Sequence, residues 1–135
     1  GAAALASFPL RLDGAPKAYP LDSLTTARVV DDTVGTTPVV LLAPHGQITV
    51  EGTSRRAGPV TYNAGGEVRA YQRGNETFSA GPDAFTVLDS AGQSWQVTEE
   101  ALLGPGGASL PRVPGHLAYW FAWYAFFPGT QVYTP

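Results

Sequence analysis

The sequence predicts a mainly β domain, a β-sandwich or barrel-like fold of many short antiparallel strands, with a short aromatic helix near the C-terminus. Three observations lead there. Sixteen glycines and twelve prolines among 135 residues are far more than long helices tolerate. Short apolar or alternating runs recur about every ten residues with turn residues between them. After residue 98 the texture changes, and seven of the nine residues from Tyr119 to Phe127 are aromatic.

The elements follow in order. Residues 1–7, Gly-Ala-Ala-Ala-Leu-Ala-Ser, read as a flexible leader or linker remnant, with a single β-rich domain over 8–135. Phe8–Leu12 alternates, Asp13-Gly14 is a hairpin signal, and Lys17–Pro20 returns. Leu21–Thr26 suits one helical turn. Ala27–Asp32 and Pro38–Leu42 flank a second hairpin turn, and Val39-Val-Leu-Leu42 is continuously apolar, as in a strand buried on both faces. Further strands are expected at Gln47–Glu51 and up to Tyr62. Val68–Gln72 is expected to pair with Thr77–Ser79, and Phe85–Leu88 with Trp95–Val97. Thr98–Gly104 has the pattern of a capped helical turn, and the Pro/Gly-rich stretch Gly104–Pro114 is expected to run over the surface.

Residues 116–127 are read as a helix stopped by Pro128. At 3.6 residues per turn, Leu117, Trp120, Phe121, Tyr124 and Phe127 share one face, and Tyr119, Trp123 and Phe126 another. Such a helix is either buried core or leaves the Tyr119, Trp123 and Phe126 face for a partner protein or a second copy. About twelve residues are too few to cross a bilayer, and direct membrane contact is not expected, because no Lys or Arg lines the segment.

Charge and chemistry narrow the function classes. Charged residues make up 14% and the net charge is −3, with a single lysine, Lys17. That argues against nucleic acid and against an anionic membrane surface. With no cysteine there is no disulfide, thiolate metal site or nucleophilic thiol. No nucleophile elbow, zinc-protease helix motif, calcium loop or phosphate-binding loop occurs. His45, in Pro44-His45-Gly46 straight after the apolar strand, is a candidate loop-site residue. His116 reads as helix-entry packing. Asp31 and Asp32 point to opposite faces of a strand, which excludes a shared carboxylate pair. Asp32 joins His45 as a loop-site candidate, and an inward carboxylate here is expected to pair with Arg28 or Arg69. No metal and no cofactor are predicted, and no catalytic residue is assigned. Low charge, one lysine, absent cysteine and the alanine-rich start together point to an exported, extracytoplasmic protein.

Several stretches in order resemble the bacterial and archaeal domain-of-unknown-function family 3179. They are Ala18-Tyr-Pro-Leu21, Val30-Asp-Asp-Thr-Val-Gly35 with Thr37-Pro-Val39, Ser94-Trp95, Glu100-Ala-Leu-Leu-Gly-Pro105, and Trp120 and Trp123 before Phe127-Pro-Gly-Thr130. The resemblance covers residues 8–133 and implies a compact β-rich domain of no settled activity. Typical members carry a Cys-Pro-x-Cys-Gly element after the buried strand. Here that stretch reads Ala43-Pro44-His45-Gly46, one residue shorter and without either thiol. The resemblance therefore implies loss of thiol chemistry rather than its transfer to His45. The sequence reading is a non-catalytic binding or assembly module, with the aromatic segment as core or anchor. The alternatives are a degenerate metal or redox domain centred on residues 43–46 and a carboxylate-based hydrolase.

Overall fold

The computed structural model describes residues 6–43, 67–119 and 127–135. Within them lie β1 (Ala6–Leu12), β2 (Ala15–Pro20), α1 (Leu21–Ala27), β3 (Val29–Val34), β4 (Thr37–Leu42), β5 (Arg69–Gln72) and β6 (Phe78–Ala80). There follow β7 (Thr86–Asp89), β8 (Ser94–Val97), β9 (Ala101–Leu103), β10 (Ser109–Val113), β11 (Ala118–Tyr119) and β12 (Gln131–Val132). The fold is mainly β, as the turn-rich composition implies.

Two hairpins begin the chain. β1 and β2 turn through Asp13 and Gly14, both at positive φ (54° and 74°), the conformation a two-residue type I′ turn requires. β3 and β4 turn through Gly35-Thr36, with Val34 opposite Thr37. The two turns are tied together, because Asp13 Oδ2 accepts from Thr36 N (3.0 Å), Thr36 Oγ1 (2.9 Å) and Thr37 Oγ1 (2.7 Å). A side chain at Gly35 would bring its Cβ to 2.8 Å from Asp13 Cβ, so only glycine lets the turns approach.

The strands form two sheets. A four-stranded sheet has the order β11-β1-β2-β12, and an eight-stranded one the order β3-β4-β5-β10-β9-β8-β7-β6. The larger sheet curls until its outer strands β3 and β6 meet, giving a nearly closed antiparallel barrel. β4 is the wall common to two cores. Val39 and Leu41 face Phe8, Leu10, Tyr19, Leu21 and Leu24 between the sheets. Val40 and Leu42 face Tyr71, Phe78, Trp95 and Leu102 inside the barrel. This explains the unbroken apolar run 39–42, since a strand with core on both sides has no polar face. Burying each such large side chain contributes about 1.5–3 kcal/mol.

Four expectations are corrected. Thr98–Gly104 is not a helical turn. Thr98 Oγ1 accepts from Ala101 N (3.0 Å) and closes a tight turn at Glu99-Glu100 between β8 and β9, because Leu102 must point into the barrel with Trp95 and Val97. The Pro/Gly-rich stretch does not merely cross the surface. Its residues 109–113 form β10, which pairs with β9 and β5 and so joins the halves of the larger sheet.

Residues 69–72 and 78–80 do not pair with each other. β5 lies between β4 and β10, and β6 pairs with β7. The Tyr71 hydroxyl on β5 also donates to the backbone carbonyl of Thr98, just after β8 (2.5 Å). Finally, the start of the expected helix 116–127 is extended. His116 and Leu117 have no regular structure and Ala118–Tyr119 is strand β11. Two causes operate. The Cα of Gly115 packs on Phe8, where a Cβ would sit 2.6 Å from Cζ. The open edge of β1 then takes up the chain, with Ala6 opposite Tyr119 and Ser7 opposite Ala118. Residues 120–126 of that expectation, and the expected strands at 47–51 and up to Tyr62, lie outside the described residues.

Candidate functional site

Of the residues singled out in the sequence, Asp32 is the one whose side chain the structure places in a cluster. Strand alternation puts Val30, Asp32 and Val34 on the side of β3 that faces β2, and Asp31 on the other. Asp32 therefore meets Lys17 and Tyr19, which alternate onto the inner face of β2. Asp32 Oδ2 accepts from Lys17 Nζ at 2.7 Å and from Tyr19 OH at 2.7 Å. Tyr133, just after β12, stacks on Tyr19 with ring centroids 5.2 Å apart. Lys17 Nζ lies 5.8 Å and 5.9 Å from the two ring centroids, within cation–π range. The cluster opens on a shallow groove of about 450 Å³ that Gln131, Val132 and Thr134 also line.

The electrostatics follow from burial and partners. Burial pushes the Tyr19 phenol far above its ordinary value, and its bond to Asp32 adds to the effect. For Asp32, burial acts upwards, but the Lys17 and Tyr19 hydrogen bonds outweigh it and hold the carboxyl below the usual range. At neutral pH the phenol is thus a fixed donor and the carboxylate a fixed acceptor. Lys17 and the two rings can hold a ligand, but neither Asp32 nor Tyr19 is a general acid or base poised near neutrality.

The other aspartates act within the scaffold. Asp31 accepts from Phe78 N and lies 3.8 Å from Arg73 Nε. Asp89 Oδ1 accepts from Ala91 N and Gln93 N (2.9 Å each), shaping the turn between β7 and β8, and Oδ2 accepts from Trp95 Nε1 (2.8 Å). The expected pairing of an Asp31 or Asp32 carboxylate with Arg28 or Arg69 is replaced by Arg73 and Lys17. Arg69 instead reaches Glu67 at 3.1 Å.

His45 lies outside the described residues, so Asp32 is not brought together with it here. Trp123 and Phe126 also lie outside them. Tyr119 contributes its backbone to β11, and His116 is exposed. Among the described residues, no group of three or more His, Asp or Glu side chains is placed to share a metal ion, and no helix is long and apolar enough to cross a membrane. Lys17, Tyr19 and Tyr133 were missed as site residues. The signal available for the first was that it is the chain's one lysine, set in an otherwise weakly charged sequence.

No curated protein and no solved structure matches the chain. The model of one family does, over residues 6–130, nearly the whole chain. The cysteine-free Ala43-Pro44-His45-Gly46 stretch is consistent with a member that lacks the thiol element. The chain belongs to the family described as "Protein of unknown function (DUF3179)".

Proposed function

We propose that the chain is a non-catalytic binding or assembly module that acts outside the cytoplasm, and that its aromatic segment serves the contact. One observation carries this reading: both ends of that segment are anchored on the four-stranded sheet. Tyr119 ends strand β11 at one edge of the sheet. At the other end, the Phe127 ring lies 5.1 Å from the Arg11 guanidinium, on the side of β1 that also carries Ser7 and Pro9. The chain then enters β12 at the opposite edge of the sheet. Seven of the nine residues between these two anchors, ends included, are aromatic, and large aromatics dominate the energetics of protein interfaces. The Asp32 cluster supports the non-catalytic half of the reading, because its lowered carboxyl and raised phenol leave neither group ready to exchange a proton near neutral pH.

The test is sedimentation of the Trp123→Gln, Phe126→Asn double variant. The reading expects loss of association with the melting temperature nearly unchanged. A large fall in melting temperature would show that Tyr119, Trp123 and Phe126 belong to the core, and the assembly reading would lose its support.

A further inference from the structure

Beyond the aromatic segment, the outer wall of the barrel carries a second surface. Two of the exposed large apolar side chains, Phe85 (47%) and Leu103 (44%), line one groove of about 490 Å³ across β7, β8 and β9. That size lies within the range of small-ligand sites. The strand register sets Thr86 opposite Gln96, and Gln96 opposite Leu103, so these three side chains form a row across the wall, with Ser94 two residues from Gln96 on the same face.

We infer that this groove binds a neutral oligosaccharide, with the Phe85 ring as the platform for a sugar's apolar face. The Thr86, Ser94 and Gln96 side chains line the groove with hydroxyl and amide groups that make no hydrogen bond among the described residues. Asp83, also in the lining, uses Oδ1 to accept from Phe85 N (2.9 Å), which leaves Oδ2 as an acceptor. An aromatic and an aliphatic side chain beside donors and acceptors of this kind match a pyranose ring, which has C–H groups on its faces and hydroxyls around its rim. The single charged lining residue is a carboxylate, so phosphate and carboxylate ligands are repelled.

The backbone argues against an extended peptide. β7, β8 and β9 each pair on both sides, so their ladder groups are already used and strand addition has no edge here.

The platform is held in place before any ligand arrives. Phe85 N is fixed by Asp83, and Phe85 O accepts from Val97 N at 2.8 Å. Gly104, also in the lining, packs its backbone against the Trp95 indole, where a Cβ would stand 2.5–2.6 Å from three ring atoms. Its φ of −113° is open to any residue, so close approach, not conformation, explains the glycine.

Affinity electrophoresis and calorimetry of the full chain test the inference, with cellohexaose, xylohexaose, mannohexaose and chitohexaose as probes and polygalacturonate as the anionic control. The expected result is saturable binding of at least one neutral hexasaccharide, weakened about tenfold or more by Phe85→Ala and also reduced by Gln96→Ala. Both side chains are exposed, so the melting temperature of each variant should stay near that of the wild type. Binding to none of the four probes, binding indifferent to both substitutions, or equal binding of polygalacturonate would overturn it. Phe85→Ala should leave sedimentation unchanged, which separates this result from that of the assembly reading.

Discussion

The carboxylate of Asp31 accepts the backbone N–H of Phe78 with both oxygens, at 3.2 Å and 3.1 Å. Asp31 lies in the first strand of the eight-stranded sheet and Phe78 in the last, so this bond draws the barrel shut where no backbone ladder does. Phe78 is also a core residue, edge-to-face with Trp95 at 5.4 Å, and its N–H would otherwise lack a strand partner at the seam.

Removing that acceptor should therefore loosen the barrel without disturbing the other sheet. Asp31→Ala is expected to cost about 1–3 kcal/mol, the range for leaving a buried donor unsatisfied. Urea unfolding measures the loss. Amide exchange should show Phe78 N–H losing protection while the amides of β1 and β2 keep theirs. An unchanged exchange rate at Phe78 would mean that the seam closes without Asp31.

Arg73 reinforces the same seam from the side. Its Nε donates to Val39 O (2.9 Å), Nη1 to Glu76 O (3.0 Å) and Nη2 to Asp32 O (3.1 Å), binding β3, β4 and the turn that leads to β6. Arg73→Lys should fail to restore the wild type, because an ammonium cannot present the planar fork that serves three carbonyls at once. A loss of about 1–3 kcal/mol in chemical denaturation is expected. Wild-type stability in the lysine variant would show that charge alone suffices.

The pH dependence should have two limbs of opposite sign. Asp13 is held below its ordinary value, first by the Thr37 hydroxyl and then by Thr36, and Asp89 first by the Trp95 indole and then by the Gln93 amide. Asp32 is held down by Lys17 and Tyr19 against the upward push of burial. A carboxyl lowered in the folded state adds stability above the unfolded value of 3.8, and that contribution is lost as pH falls through the folded value. Acid should therefore weaken the fold below pH 3.8, and Asp32→Asn should flatten that limb.

Asp31 runs the other way. Burial raises it, against the lowering effects of the Phe78 amide and Arg73. Its contribution is complete below 3.8 and declines as pH rises through the raised value. Melting temperatures across pH 2–7 check both limbs, and Asp31→Asn should remove only the second.

Much of the fold was legible because local rules decide it. The turns at Asp13-Gly14 and Gly35-Thr36, the short helix at Leu21–Ala27 and the doubly buried run Val39–Leu42 each follow from residues within a few positions of one another. The alternation that separates Asp31 from Asp32 is of the same kind, so their assignment to opposite faces holds. What alternation could not supply was the partners. Lys17 reaches Asp32 across fifteen residues of sequence and Phe78 reaches Asp31 across forty-seven, and such pairings exist only once the sheets are stacked and curled.

The errors share that origin. Thr98–Gly104 carries helix caps and Gly104–Pro114 carries loop composition, yet both segments end as strands, because Leu102 and Val113 find core positions that outweigh local preference. Ala118–Tyr119 was drawn from a helical pattern into β11 by the open edge of β1. Turn chemistry and alternation thus settle the two N-terminal hairpins and which of their faces are apolar, while strands β9 to β11, the closing of the barrel, the Asp32 cluster and the Phe85 groove arise from contacts between distant strands that only the assembled sheets bring together.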